Sequence, residues 1–193
     1  MKNLVLVTLI GLWTSFAQAT IQDEFEALKD SARDYEITGT VCEEVARLET
    51  ARDRYPESDY TVVTGIAYSN GHRTIGELDV VVFENRTGRV REIAEVKCWR
   101  NMHGGLRKAE EQRQRFLDAL HSGRPLEFRS TSANHQRFDA RAFQGVNAFN
   151  SIAQKGAVDA GYTSELDYSL NELMELRQMM IKCQHEGHCA RPR

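Results

Sequence analysis

The 193-residue sequence has only three prolines, no internal repeat and no low-complexity stretch. It therefore offers no place for a flexible linker, and its length suits a single core. No apolar run reaches the ~20 residues that a bilayer-crossing helix needs. The longest, Leu4 to Trp13, follows Lys2 and precedes Ala17-Gln18-Ala19. A positive start, a short apolar run and a small-residue cleavage site make an export signal over residues 1–19, with 20–193 as one mature domain. No cysteine stands at the cleavage point, so lipid anchoring has no support, and the expected destination is the periplasm or the medium. Aromatic residues are only 8% of the chain, which leaves little surface for stacking sugars and counts against a glycosidase.

An overall positive charge is also missing. The formal net charge is -3, and loss of Lys2 with the signal would make it -4. Nucleic-acid binders are usually basic, but distribution matters more than the sum. Between Arg86 and Arg115 nine basic residues face four acidic ones, Glu92, Glu95, Glu110 and Glu111. That local excess suits a phosphate-facing patch, or simply a solvated face. Four cysteines, Cys42, Cys98, Cys183 and Cys189, would be oxidised in an exported protein, with three pairings open at this point.

Periodicity supplies the elements. Residues 22–35 read as a charged helix with Phe25, Leu28 and Ala32 on one stripe, and a second helix starts near Thr40 and stops before Pro56. Strands follow over 60–68, 74–84 and 89–99, the last two joined by the turn Asn85-Arg86-Thr87-Gly88. Asn85 also begins a glycosylation sequon, but a turn wants Asn for backbone reasons. A long helix covers about 106–120, a short strand 126–130, and the capping-box pattern Ser169-Leu170-Asn171-Glu172 opens a last helix to about Cys183. Residues 133–160 give no clear pattern. The order implies an α/β fold, a central mixed sheet flanked by helices.

Chemistry concentrates in Gly76-Glu77-Leu78-Asp79-Val80-Val81-Val82 and Ile93-Ala94-Glu95-Val96-Lys97. Residues two apart in a strand share a face, so Glu95 and Lys97 point together. Pairing Glu84 with Val90 would set Asp79 opposite Glu95, and one residue of slip would make them diagonal neighbours, still close enough to share an ion. Two inward carboxylates repel each other unless a positive charge lies between them, and Mg²⁺ suits carboxylate oxygens. Lys97 would then orient or deprotonate the water that attacks phosphorus.

Asp79 followed by Glu95-Val96-Lys97 resembles the PD-(D/E)XK nuclease signature, and the GELDVVVF phrase is similar to the matching strand of Holliday-junction resolvases and Mrr-type restriction endonucleases. The resemblance spans about residues 38–120, with Leu78 where the family carries proline. It implies a restriction-endonuclease-like core and hydrolysis of phosphodiester bonds in DNA before RNA. Mg²⁺, with Mn²⁺ as the substitute, would be held by Asp79, Glu95 and the Val96 carbonyl, and Lys97 would assist. Gly39 followed by Glu43 matches the family's helical glutamate, with Glu44 as the alternative; Glu77 and Gln112, the latter in a glutamine motif, are accessory candidates. Arg100, Arg107, Lys108, Arg113 and Arg115 would meet the polyanion. Homodimers are an option within the family.

If Glu43 approaches Glu95, Cys42 and Cys98 would meet, leaving Cys183 with Cys189; two separate buried thiols are the other outcome. The tail Cys183-Gln184-His185-Glu186-Gly187-His188-Cys189 is too cramped for ordinary zinc spacing, which favours a disulfide staple over a zinc site or a disordered tail. His72 and His103 flank the site strands as loop residues or phosphate contacts. The competing functional class is a non-catalytic nucleic-acid-binding protein on a decayed nuclease fold.

Overall fold

The computed structural model describes residues 20–71, 73–132 and 135–192. The expected export signal and His72 lie outside them. Thr20 caps α1 (Ile21–Leu28) through a reciprocal capping box with Asp23. This helix was expected to reach Tyr35. It ends at Leu28 because the chain turns through Asp30 and Ser31, with Ala32 at φ 53, and buries Tyr35 against Ser31. The turn delivers Arg33 to α2 (Thr40–Asp53), where it pairs with Glu44 at 3.2 Å.

Three strands then run as an antiparallel meander, β1 (Tyr60–Asn70), β2 (Arg73–Glu84) and β3 (Val90–Val96). Asn85 holds the β2–β3 turn, accepting from Thr61 at 2.7 Å and donating to the Glu57 carbonyl at 3.0 Å. Next come α3 (Met102–His121), β4 (Glu127–Ser130) and β5 (Arg137–Phe138). After a 3₁₀ turn at Ala140–Phe143 the chain makes β6 (Phe149–Ala153), β7 (Ser164–Glu165) and α4 (Leu170–Glu186). The expected Ser169–Glu172 capping box opens α4.

The strands form one mixed sheet in the order β5-β4-β1-β2-β3-β6-β7. β6 and β7 continue it parallel to β3, whereas the other neighbours are antiparallel. On one face α1, α2 and α4 bury Leu28, Val41, Val45, Val80, Ala94, Val96, Leu173 and Leu176. On the other, Phe116 of α3 packs with Ile66, Tyr68, Val81, Ile93, Phe128 and Phe143. Complete burial of a side chain of this size is worth ~1.5–3 kcal/mol, so both faces are firmly closed.

Two disulfides are present. Cys42 of α2 joins Cys98 just beyond β3, with Cα atoms 6.3 Å apart, and Cys183 joins Cys189 at 5.3 Å. Both tail thiols are thereby consumed, which removes the zinc alternative. Among the described residues no helix is long and apolar enough to cross a membrane.

Candidate active site

The site lies where β2 and β3 begin to part. At the turn the structure pairs Phe83, not Glu84, with Val90. A register shift follows, so that Val82 faces Glu92 and Val80 faces Ala94. The ladder ends at Val80 and Ala94, which leaves Asp79 and Glu95 as the next residues beyond its last pair. The extra residue, Arg91, forms a bulge that absorbs the one-residue error of the expected turn pairing.

Glycine shapes the neighbouring strand. Gly65 in β1 has φ +67, and a Cβ there would collide with Thr131 Oγ1. Strict alternation breaks at this level: Thr64 bonds Glu44 on the α2 side, while Ile66 joins the α3-side core. In β2, Val80 and Leu78 likewise fall in opposite cores. Asp79 sits at this break, and its Oδ2 accepts from the Val96 N–H at 2.8 Å.

Three oxygens surround the Lys97 ammonium. Asp79 Oδ2 lies 2.5 Å from Nζ, the Val96 carbonyl 3.0 Å and Glu95 Oε2 3.6 Å. All three side chains are buried or nearly so. Neither carboxylate oxygen of Glu95 has a hydrogen-bond partner among the described residues. A buried ionised carboxylate left in that state is costly, so Glu95 needs either a proton or additional positive charge beside it.

From α2, Glu43 reaches the edge of this group. It lies 3.7 Å from Arg33 and borders a cavity of about 250 Å³ with Ile37, Glu77, Thr131 and His135. Glu77 accepts from the Thr131 hydroxyl at 2.9 Å. Glu44 points away from the site: it accepts from Thr64 and pairs with Arg33 and Arg47, so its carboxylate is taken up in joining α2 to β1. Arg33 and Gly65 were not singled out in the sequence. A glycine inside an otherwise β-branched strand was the available signal for Gly65; nothing local marks Arg33.

The expected polyanion contacts divide. Arg113 stacks over Phe149 at 5.1 Å and borders a small cavity with Glu95, Glu110 and Ser151. Arg107 and Lys108 lie 3.9 and 3.5 Å from Glu111, which offsets much of their charge. Arg100 and Arg115 are exposed. Gln112 is half-buried and makes no hydrogen bond among the described residues, so the structure does not tie it to the site. His103 is exposed in the first turn of α3.

The charges influence one another. Burial, reinforced by Asp79 and Glu77, pushes the Glu43 carboxyl up to about 7. Burial and Asp79 push Glu95 well above the usual carboxylate range. Burial works against the Lys97 ammonium, but Asp79 and Glu95 outweigh it and hold Lys97 above its ordinary value. Tyr68 is pushed up to about 12 by burial and by Glu95, with Arg115 opposing.

A divalent ion fits this chemistry. Two carboxylates and a backbone carbonyl already gather around a cation, and Glu95 has unused oxygen lone pairs. Among the described residues no three His, Cys, Asp or Glu side chains form a ready ion-holding group by themselves. No protein-family model, curated protein or solved structure matches the chain.

The raised carboxyls predict a pH dependence. A carboxyl that holds its proton more tightly folded than unfolded stabilises the fold at low pH and loses that contribution as pH rises through the folded value. For Glu43 this window runs from 4.5 to about 7, and for Glu49, raised mainly by burial, from 4.5 to about 8. Stability in EDTA is expected to fall across that range by on the order of 3–5 kcal/mol per group. Mg²⁺ should restore the Glu43 and Glu95 share at pH 8, not that of Glu49. Thermal melts at stepped pH, with EDTA or Mg²⁺, measure both effects; stability that stays flat or rises over this range contradicts the assignment.

Proposed function

We propose that this chain is an exported, Mg²⁺-dependent nuclease of the PD-(D/E)XK kind, with a restriction-endonuclease-like core and DNA as its preferred substrate. The reading rests on one observation: two buried carboxylates and a strand-end carbonyl converge on Lys97, and Glu95 has no hydrogen-bond partner among the described residues. Two disulfides fit passage through an oxidising compartment.

Asp79, Glu95 and the Val96 carbonyl would hold Mg²⁺, or Mn²⁺ in its place. When bound, the ion supplies Lewis-acid polarisation of a phosphoryl oxygen and neutralises developing negative charge. With the ion bound, the Lys97 ammonium would donate to the attacking water and hold it beside phosphorus. The water oxygen forms the new P–O bond as the bond to the leaving sugar oxygen breaks, and that oxygen takes a proton from solvent. Glu43, poised near neutrality, would accept a hydrogen bond from the water, fix its direction and take its proton as the P–O bond forms. Arg113, next to Glu95, pairs with the phosphate on the α3 side.

The test incubates the mature chain with plasmid, linear and single-stranded DNA and with RNA, with EDTA, Mg²⁺ or Mn²⁺. Cleavage should require the metal, favour DNA, and vanish in Asp79→Ala. Metal-dependent cleavage that persists in Asp79→Ala places the chemistry elsewhere. Binding of DNA without cleavage under any metal favours the non-catalytic alternative.

A further inference from the structure

The start of β2 and the second half of α3 enclose another cleft, of about 760 Å³, bordered by Asn70, Arg73, Thr74, Arg115, Ser122 and Arg124. Its one acidic lining residue, Asp118, accepts from Gln114 at 2.8 Å. Several other exposed arginines close onto carboxylates, as Arg129 does on Glu127 at 2.8 Å and Arg141 on Asp139 at 2.9 Å. Arg73, Arg115 and Arg124 have no ion pair among the described residues, although all three are exposed around one concavity. Three unpaired guanidinium groups on an acidic protein create a local positive potential that attracts a polyanion. The volume exceeds what a single phosphate would fill and suits a length of backbone.

The cleft lies on the α3 face of the sheet, where Glu95 also borders α3 residues Ala109 and Arg113. Tyr68, which pairs with Gly76 midway between Arg73 and Asp79 on β2, packs against Phe116 of α3. Arg73 precedes Asp79 by six residues on β2, a distance of about 20 Å at the rise of a β-strand. One strand of duplex DNA advances about 3.4 Å per nucleotide, so this reach corresponds to roughly six nucleotides.

We infer that the Arg73–Arg115–Arg124 cleft is a distal groove for the phosphate backbone of double-stranded DNA, engaging it about six nucleotides from the bond at the Asp79–Glu95–Lys97 site. This rests on the nuclease reading. A stiff duplex presents phosphates at fixed spacing to both sites, whereas a flexible single strand does not.

The experiment measures binding by fluorescence anisotropy over a range of salt, in EDTA so that DNA is not consumed. The probes are duplexes of about 24 and about 6 base pairs, and heparin as a polyanion that is not nucleic acid. Replacing Arg73, Arg115 and Arg124 together by Ala should weaken long-duplex binding at least ~10-fold and lower the salt slope by roughly 2–3, about 0.9 per phosphate contact. Short-duplex binding and the melting temperature should not change. Lysine at all three positions should recover most of the affinity, because a backbone phosphate needs charge more than a planar fork. Unchanged long-duplex affinity in the triple-Ala variant overturns the proposal, as does failure of the long duplex to bind at all. Heparin binding tighter than duplex binding, and lost with the same substitutions, assigns the cleft to another polyanion and also overturns it. Cleavage of the short duplex once Mg²⁺ is added tests the nuclease reading separately.

Discussion

Glu95→Gln is expected to stabilise the metal-free protein while abolishing cleavage, and Lys97→Ala is expected to abolish cleavage while destabilising it. The opposite signs follow from the arrangement around the ammonium. Glu95 is 4% exposed and neither of its carboxylate oxygens has a hydrogen-bond partner among the described residues, so its charge costs more than its 3.6 Å approach to Lys97 returns. An uncharged amide removes that cost and should gain ~1–3 kcal/mol at pH 8. Lys97 is the positive charge between two buried carboxylates, and deleting it leaves Asp79 and Glu95 facing each other. Breaking a buried pair in this way costs ~3–5 kcal/mol, and the loss should shrink at lower pH as Glu95 takes up a proton. Removal of the cation that positions the attacking water should lower the rate by ~10²–10³, the scale for losing one preorganised charged donor. Removing a carboxylate that holds the ion should be at least as damaging. Urea titrations in EDTA, set beside single-turnover cleavage in Mg²⁺, read the two quantities independently. Wild-type cleavage by Glu95→Gln, or stability changes of the same sign in both variants, would sink the site assignment.

Loss of the Cys42–Cys98 bridge should cost about 4 kcal/mol in the chain-entropy model, because it closes a loop with a sequence separation of 56. Loss of Cys183–Cys189, with a separation of 6, should cost only about 2 kcal/mol. The larger bridge also has a catalytic consequence. Cys42 adjoins Glu43 on α2 and Cys98 adjoins Lys97 at the end of β3, so one covalent link ties the helical carboxylate to the strand that carries the lysine. Cys42→Ala/Cys98→Ala is therefore expected to lose activity at temperatures where it remains folded, while Cys183→Ala/Cys189→Ala keeps it. Denaturant midpoints with and without strong reductant, together with cleavage rates of the two double variants, check this. Equal losses from both pairs, or a midpoint indifferent to reductant, would contradict the proposed division of labour.

Some of this architecture was legible because its signals are local. The two-residue alternation of a strand places Glu95 and Lys97 on one face whatever surrounds them. Likewise the capping box at Ser169, the turn at Asn85 and the break before Pro56 are written within a few residues of where they act. The turn was less legible: counting the ladder from Glu84 and Val90 ignores a bulge, and the structure offsets the turn pair by one residue at Arg91. The same locality explains why Glu43 and Glu44 could not be separated. Adjacent helical residues differ by about 100° in direction, and only the positions of Arg33, Arg47 and Thr64 show that Glu44 serves the α2–β1 contact.

By itself, then, the sequence determined the β2–β3 hairpin with its two carboxylates and lysine, the helices before and after it, and the α/β class. Tertiary structure alone decided the rest. It set β6 parallel to β3, where the short run Phe-Asn-Ser-Ile-Ala carries too little apolar alternation to announce a strand. It ended α1 early so that Arg33 could reach Glu43 and Glu44, and it gathered Arg73, Arg115 and Arg124 around one cleft. These contacts join residues far apart in the chain, and a parallel strand pair or a buried ion pair draws its stability from a partner that no local window contains.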